Sequence, residues 1–411
     1  MKKFVAMGAL GLAVLSLASC GKNNDGGKII EDGKVGVILP GTIGGETKSF
    51  QEHWNALAKE YGVTMVYEQF QGQDPTYYKT CAEKLVAAGC NAVICNFEMD
   101  GKESVLEYCV DSEIYVGYSG STVSSETFDE YKDSPYFLGQ IAPSPEQEQQ
   151  QAYNMTKYFI DEYYKSDSVL PEGTTDTLAV WPADYHGLSL AHQMTYRWKG
   201  IKQALNEAGV TVNGDNESDS SKWTVTYTAD SPLKDKVAIM GNNLANMNAL
   251  ITQCTGILMK NPCAVITTCN GNYLLNMFAQ YGALSKATRF GTIDSFVSDY
   301  DKWYQADSTS KVNAFKVTHD PYLVGKFGAI NEAILAVTAK AFSGEAIRDN
   351  GKALNINQTY WFATNKADFD KACNVSANFS YGKKTFDDIK TSDALQKLFD
   401  DSTLENLASK L

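Results

Sequence analysis

The chain has 411 residues, 44% hydrophobic, 21% charged and 11% aromatic, which is material for two or three domains at roughly 100–200 residues each. Its formal net charge of −13, from 36 basic and 49 acidic residues, argues against a nucleic-acid binder, whose affinity comes from neutralising phosphates, and against a polybasic membrane-surface protein. Ten prolines and 32 glycines are too few for a low-complexity or collagen-like chain, and four histidines argue against a multi-histidine metal site.

The chain opens on Met1-Lys2-Lys3 and an apolar run from Phe4 to Ala18, the basic start and short apolar stretch of an export signal. The run falls short of the roughly 20 apolar residues of a spanning helix. It closes on Leu17-Ala18-Ser19-Cys20, which resembles the bacterial lipobox and implies that Cys20 is lipidated and becomes the N-terminus. Loss of residues 1–19 removes Lys2 and Lys3 and takes the formal charge to −15. Residues 21–33 (GKNNDGGKIIEDG) read as a flexible tether, and no later segment has the apolar length of a span. Eight cysteines follow: Cys81, Cys90, Cys95, Cys109, Cys254, Cys263, Cys269 and Cys373. No CxxC occurs, the first three sit at apolar positions of a predicted helix and strand, and a chain of this size does not need staples. Free, buried thiols are therefore expected rather than a disulfide scaffold.

In chain order, Val35–Leu39 reads as a strand, then comes the Gly-rich loop Pro40–Gly45 and an amphipathic helix over Phe50–Tyr61. Val63–Tyr67 is a strand, a helix follows Asp74-Pro75 with Cys81, Leu85 and Val86 on its apolar face, and Asn91–Cys95 is a buried strand. Gly101–Cys109 reads as a helix and Ile114–Tyr118 as a strand. The pattern restarts after Pro143 and Pro145 with a helix over Glu146–Tyr164. Leu178–Trp181, Thr224–Tyr227, Ala264–Thr268, Arg289–Ile293 and Val312–Val317 then read as strands. Leu190–Ala208, Asn242–Met259, Tyr273–Tyr281 and Tyr322–Phe342 read as helices. Strictly alternating strands and helices predict βαβ units, and hence an α/β protein of two doubly wound parallel-sheet lobes. Residues 368–411 are polar, predicted helical, and outside the repeat.

Four segments in order resemble the type I periplasmic binding proteins, the ribose- and galactose-binding branch of the solute receptors of ABC importers. They are KVGVILPGTIGG (34–45), KLVAAGCNAVICNFEMDG (84–101), YRWKGIKQALNEAG (196–209) and VTHDPYLVGKFG (317–328). Together they span about residues 34–365. The resemblance implies a three-strand hinge, with crossings near Ile141–Ser144, Val317–Asp320 and Asn355–Trp361. Residues 34–143 with 320–357 would then form the N-terminal lobe, and 144–319 with 358–367 the C-terminal lobe. The same fold serves sugar-responsive repressors, but those begin with a helix-turn-helix where this chain has its signal and lipobox.

In open α/β sheets ligands bind beyond the carboxyl ends of the strands, so the residues that follow each strand are the candidates. Asn96 and Glu98, with Phe97 between them, follow the third strand. Gly120 and Ser121 stand where the family often carries an Asp–Arg pair, a departure that argues against a standard monosaccharide clamp and for tolerance of an acidic or oxidised sugar. Glu146 and Gln147, just after a crossing, read equally well as a solvated helix start. Trp181, Asp184 and Tyr185 combine ring faces with a carboxylate, a set suited to carbohydrate. By the resemblance Arg197 matches a ligand arginine whose fork takes two oxygens, Asn270 and Asp294 match polar ligand contacts, and His319 replaces a hinge glutamine. Truncating Arg197 or Asp294 is expected to weaken binding and leave stability almost unchanged.

Catalysis finds little support. Gly117-Tyr118-Ser119-Gly120-Ser121 lacks the last glycine of GxSxG, His186 and His192 lack HExxH spacing, and Asp215–Thr226 lacks the glycine and final glutamate of an EF-hand. The expectation is a non-enzymatic, lipid-anchored, extracytoplasmic receptor, monomeric and without cofactor or metal. It would close on a small polar ligand, a sugar foremost, and deliver it to ABC permease subunits. A nucleoside, autoinducer or acidic-sugar receptor, a sensor feeding a chemoreceptor or kinase, and a surface hydrolase remain as alternatives.

Overall fold

The computed structural model describes residues 29–40, 46–70, 75–96, 101–183, 191–217, 219–241, 247–269, 287–293, 322–325 and 330–411. Two six-stranded sheets organise the chain. The first joins β1 (Lys34–Pro40), β2 (Thr64–Phe70), β3 (Ala92–Cys95), β4 (Tyr115–Ser119), β5 (Phe137–Ala142) and β13 (Leu354–Asn357) in the order β13-β5-β4-β3-β1-β2. The second joins β6 (Thr175–Trp181), β9 (Val237–Ile239), β10 (Pro262–Thr267), β11 (Arg289–Ile293), β12 (Tyr322–Gly325) and β14 (Trp361–Ala363) in the order β14-β12-β11-β10-β6-β9. Each lobe is thus wound outward in both directions from its first strand. All pairs within the sheets are parallel except β12 with β14. Strands β3 and β10 are buried at every position, as parallel strands covered on both faces must be.

In the first lobe, α1 (Glu46–Tyr61) and the helix Ile330–Phe342 cover one face through Trp54, Leu57, Ala333 and Ile334. The other face carries α2 (Pro75–Ala87) and α3 (Lys102–Asp111) through Cys81, Leu85, Val105 and Leu106. In the second lobe, α5 (Pro145–Tyr163) and α6 (Ala191–Glu207) pack on one face and α7 (Met247–Leu258) on the other. The start of α5 follows from its sequence. Pro145 presets the first helical φ, Ser144 Oγ accepts from Gln147 N (3.3 Å), and Gln147 Oε1 accepts from Ser144 N (2.8 Å).

Two expectations need correction. Thr224–Tyr227 (β8) is a strand, but it pairs antiparallel with Val210–Asn213 (β7) in a separate two-stranded ribbon, and β9 takes the place beside β6. Tyr322–Gly325 is not the start of a helix; it is β12, hydrogen-bonded to β11 in the second sheet, and the helix begins at Ile330. A first lobe resuming at residue 320 would place β12 in the wrong sheet: the second lobe includes Gly325, and the helix from Ile330 belongs to the first. The periodic apolar run hid this break, because a short buried strand and a buried helix look alike by hydropathy alone. The predicted elements 273–281 and 312–317 lie outside the described residues.

The tail is helical as expected, and its helices Lys366–Asn378, Lys383–Asp388, Ser392–Asp400 and Leu404–Ala408 are polar outside. Their inner side, however, supplies Val375, Phe386, Leu395, Phe399, Leu404 and Leu407 to the first lobe's core, while Phe369 packs in the second lobe's. The tail also holds the crossing between β13 and β14. Gln396 both donates to Asn357 O (3.0 Å) and accepts from Asn357 N (2.8 Å), and Trp361 Nε1 donates to Ser402 O (3.0 Å).

All eight described cysteines are free thiols, seven of them buried and Cys373 half-buried. Burial pushes the Cys81, Cys90 and Cys263 thiols up to about 11 and those of Cys95 and Cys254 up to about 12. The thiolate is the nucleophile, so a disulfide titrant at pH 8 should react readily with Cys373 in the folded protein and with all eight only in denaturant. Rapid modification of several thiols in the native state would contradict this packing.

Candidate functional site

In a sheet wound outward from its first strand, neighbouring connections part between that strand and the next one in the sheet, and the crevice opens there at the carboxyl ends. In the first lobe that point lies between β1 and β3, in the second between β6 and β10. Asn96 follows β3. Its Nδ2 donates to Asn331 Oδ1 (2.7 Å) and Ser119 O (3.4 Å), and Ser119 Oγ donates to the same Asn331 oxygen (2.8 Å). The amide thereby ties the end of β3 to the end of β4 and to the first turn of the helix Ile330–Phe342.

Beyond Ser119, Gly120 turns with φ 69° and Gly120 N donates to Ile141 O (2.9 Å). This left-handed residue, which favours glycine, leads into Ser121, fully buried with no hydrogen-bond partner for its Oγ among the described residues. In the second lobe, Trp181 ends β6. Its ring does not present the expected face to ligand; it is fully buried against Met194, Met240, Cys254 and Phe290. What remains available is the indole Nε1–H, which has no hydrogen-bond partner among the described residues. Buried polar groups are nearly always paired, and these two orphans stand at strand ends of the two lobes.

Arg197 departs most from expectation. It projects from α6, is 0% exposed, and has its donors committed within the protein. Nε donates to Glu148 Oε2 (2.6 Å), Nη1 to Thr268 O (2.9 Å), and Nη2 to Gln193 Oε1 (3.1 Å) and Tyr360 Oη (2.9 Å). Tyr360 Oη in turn donates to Glu148 Oε1 (2.7 Å). The fork expected to take ligand oxygens is therefore taken by a carboxylate of α5, a backbone carbonyl, an amide and a phenol of the protein itself. The accompanying expectation of unchanged stability on truncation falls with it, because Glu148 is itself only 2% exposed.

A hydrogen bond joins the turn after β4 to the start of α6. Gln193, in the first turn of α6, donates through Nε2 to Gly120 O of the first lobe (3.3 Å). Glu98, Asp184, Tyr185, Asn270, Asp294, His319 and Cys20 lie outside the described residues. Glu146 and Gln147 belong to the first turn of α5, Gln147 in its capping box. Sequence reasoning missed Glu148, Gln193, Asn331 and Tyr360. A signal existed for the first: Glu148 lies on the stripe of Ala152, Met155 and Phe159, the buried face of α5. Among the described residues no three His, Cys, Asp or Glu side chains gather as a metal set, and no helix is long and apolar enough to cross a membrane.

No family model and no curated protein matches the sequence. Solved structures do match in shape. A galactofuranose binding protein superposes with a TM-score of 0.55 at 13% identity over 84% of this chain and 99% of its own. A 5-methylthioribose transporter solute binding protein from Thermotoga lettingae gives 0.53 at 13% identity over 93% and 98%. An ABC transporter solute binding protein from Bacillus halodurans with bound myo-inositol gives 0.51 at 12% identity over 85% and 98%. The chain has the two-lobed fold of the type I periplasmic binding proteins, as its four sequence segments implied.

Proposed function

We propose that this chain is an extracytoplasmic solute receptor that captures a small polar ligand, a sugar foremost, by closing two lobes and hands it to an ABC importer. The observation that carries the reading is the contact of the two lobes at Gly120 and Gln193, together with Ser121 Oγ next to Gly120 and Trp181 Nε1 at the end of β6, both buried without a hydrogen-bond partner among the described residues. A hydroxyl, as donor or acceptor, and an N–H donor are suited to ligand hydroxyls. Binding drives closure because only the closed form lets both lobes touch the ligand. The shape neighbours, which include sugar-binding and inositol-bound proteins, support the ligand class. Asn96, Glu98, Asp184, Tyr185, Asn270, Asp294 and His319 are the further residues proposed for the cleft.

The test is a thermal-shift screen of residues 21–411 against pentoses, hexoses, uronic acids, inositols and nucleosides. A ligand at 100 times its Kd adds about 2.7 kcal/mol of stability. Removing one neutral hydrogen bond, in Ser121→Ala or Trp181→Phe, should weaken the ligand found by roughly 2- to 12-fold in calorimetry. Unaltered affinity in both variants would sink the site.

Attachment is proposed to run through Cys20. Cys20→Ala should move the protein from the membrane fraction to the soluble fraction with its melting temperature unchanged, since the anchor touches one end alone. Retention on membranes after a salt wash would overturn that assignment.

A further inference from the structure

Gln193 joins the lobes, and its neighbours fix which way its amide points. Guanidinium has only donors, so the Gln193 atom facing Arg197 Nη2 must be Oε1, and Nε2 is left facing Gly120 O. A flipped amide would set donor against donor at Arg197 and oxygen against oxygen at Gly120. Arg197 cannot drift to relieve this, because Glu148, Thr268 O and Tyr360 Oη hold it. The acceptor is equally fixed, since Gly120 N is bonded to Ile141 O. Both halves of the contact are thus set within their own lobes before they meet. Tyr360 lies in the crossing between β13 and β14, and Glu148 stands near the start of α5, just past the crossing from β5, so the relay is rooted at two of the three hinge segments.

We infer that Gln193 is the closure latch of the molecule, a positioning residue that holds the first lobe's Gly120–Ser121 turn against the second lobe. The inference rests on the capture-by-closure reading, yet its test needs no ligand. Gln193→Glu keeps the shape and the oxygen toward Arg197, but replaces the donor facing Gly120 O with a second acceptor. Gln193→Met keeps the length and removes both the bond to Gly120 O and the acceptor for Arg197 Nη2. Loss of one neutral hydrogen bond shifts a closed-to-open ratio by roughly 2- to 12-fold, and oxygen-on-oxygen repulsion in the glutamate variant adds to that.

The experiment is X-ray scattering of the unliganded protein, with the melting transition recorded alongside. The expected result is a larger radius of gyration for Gln193→Glu than for wild type, with cooperative melting retained. An increase there, with or without a smaller one in Gln193→Met, upholds the latch. An unchanged radius in a folded Gln193→Glu overturns it. Should Gln193→Glu fail to fold, Gln193→Met decides in its place: a larger radius upholds the latch and an unchanged one overturns it. A screen in which no sugar binds wild type would remove the receptor reading while leaving the scattering result to stand or fall alone.

Discussion

Glu148→Ala should lower the melting temperature by on the order of 10 °C. Glu148 and Arg197 are fully or almost fully buried and bonded at 2.6 Å. Removing one partner of such a pair leaves the other charge without compensation, at a cost of about 3–5 kcal/mol, and one kcal/mol moves the midpoint of a domain of this size by roughly 2–4 °C. Replacing both charges, in Glu148→Leu with Arg197→Met, should recover part of the loss: no charge is left buried alone, while Thr268 O, Gln193 Oε1 and Tyr360 Oη still lose these bonds. Calorimetric melting of wild type, single and double variants checks this. A single variant within about 2 °C of wild type would mean that water reaches Arg197 and that the network is not closed.

Gly139→Ala should be the most damaging single-methyl addition in the first lobe. Gly139 has φ 116°, a conformation that L side chains rarely adopt, and a Cβ there would lie 2.1 Å from Leu354 O and 2.4 Å from Leu354 N. Leu354 is its partner in the β5–β13 ladder, and the neighbouring β4–β5 register already slips at Val116/Gly117. Backbone strain and overpacking together cost roughly 2–6 kcal/mol. Gly256→Ala is the control, since nothing lies within 4 Å of its Cβ position in α7 and alanine favours a helix by up to about 1 kcal/mol. Urea unfolding should show a much lower midpoint for the first variant and an equal or higher one for the second.

Period and punctuation made most of the fold legible. Apolar runs such as AVIC in β3 and CAVIT in β10, bounded by Gly, Asn and Pro, mark strands covered on both faces. Pairing, by contrast, is a long-range property. Nothing local tells Thr224–Tyr227 that it will turn back on Val210–Asn213 rather than join the sheet. Candidate site residues were legible by position, since the strand ends alone pointed to Asn96, Ser121 and Trp181. Their partners were not, because Tyr360 and Asn331 come from segments more than 160 residues away from Arg197 and 230 away from Asn96. Arg197 shows how a charged helical residue is misread when its own stripe is ignored. It shares a face with Met194, Trp198 and Ile201, all buried, and a charge on an apolar stripe calls for a countercharge on the helix it packs against.

The core of the first lobe draws on residues 35–141 and again on residues 330–407. During synthesis the amino-terminal lobe therefore cannot complete its core until almost the whole chain has been made, whereas the second lobe's sheet is complete by Ala363. The usual order, in which amino-terminal units fold first as they emerge, is reversed. Strand β13, the helix Ile330–Phe342 and the tail helices arrive last and close a lobe whose other strands emerged first. On the export route proposed above, where the chain would cross a membrane unfolded, this delay would keep the leading half open until the trailing half follows.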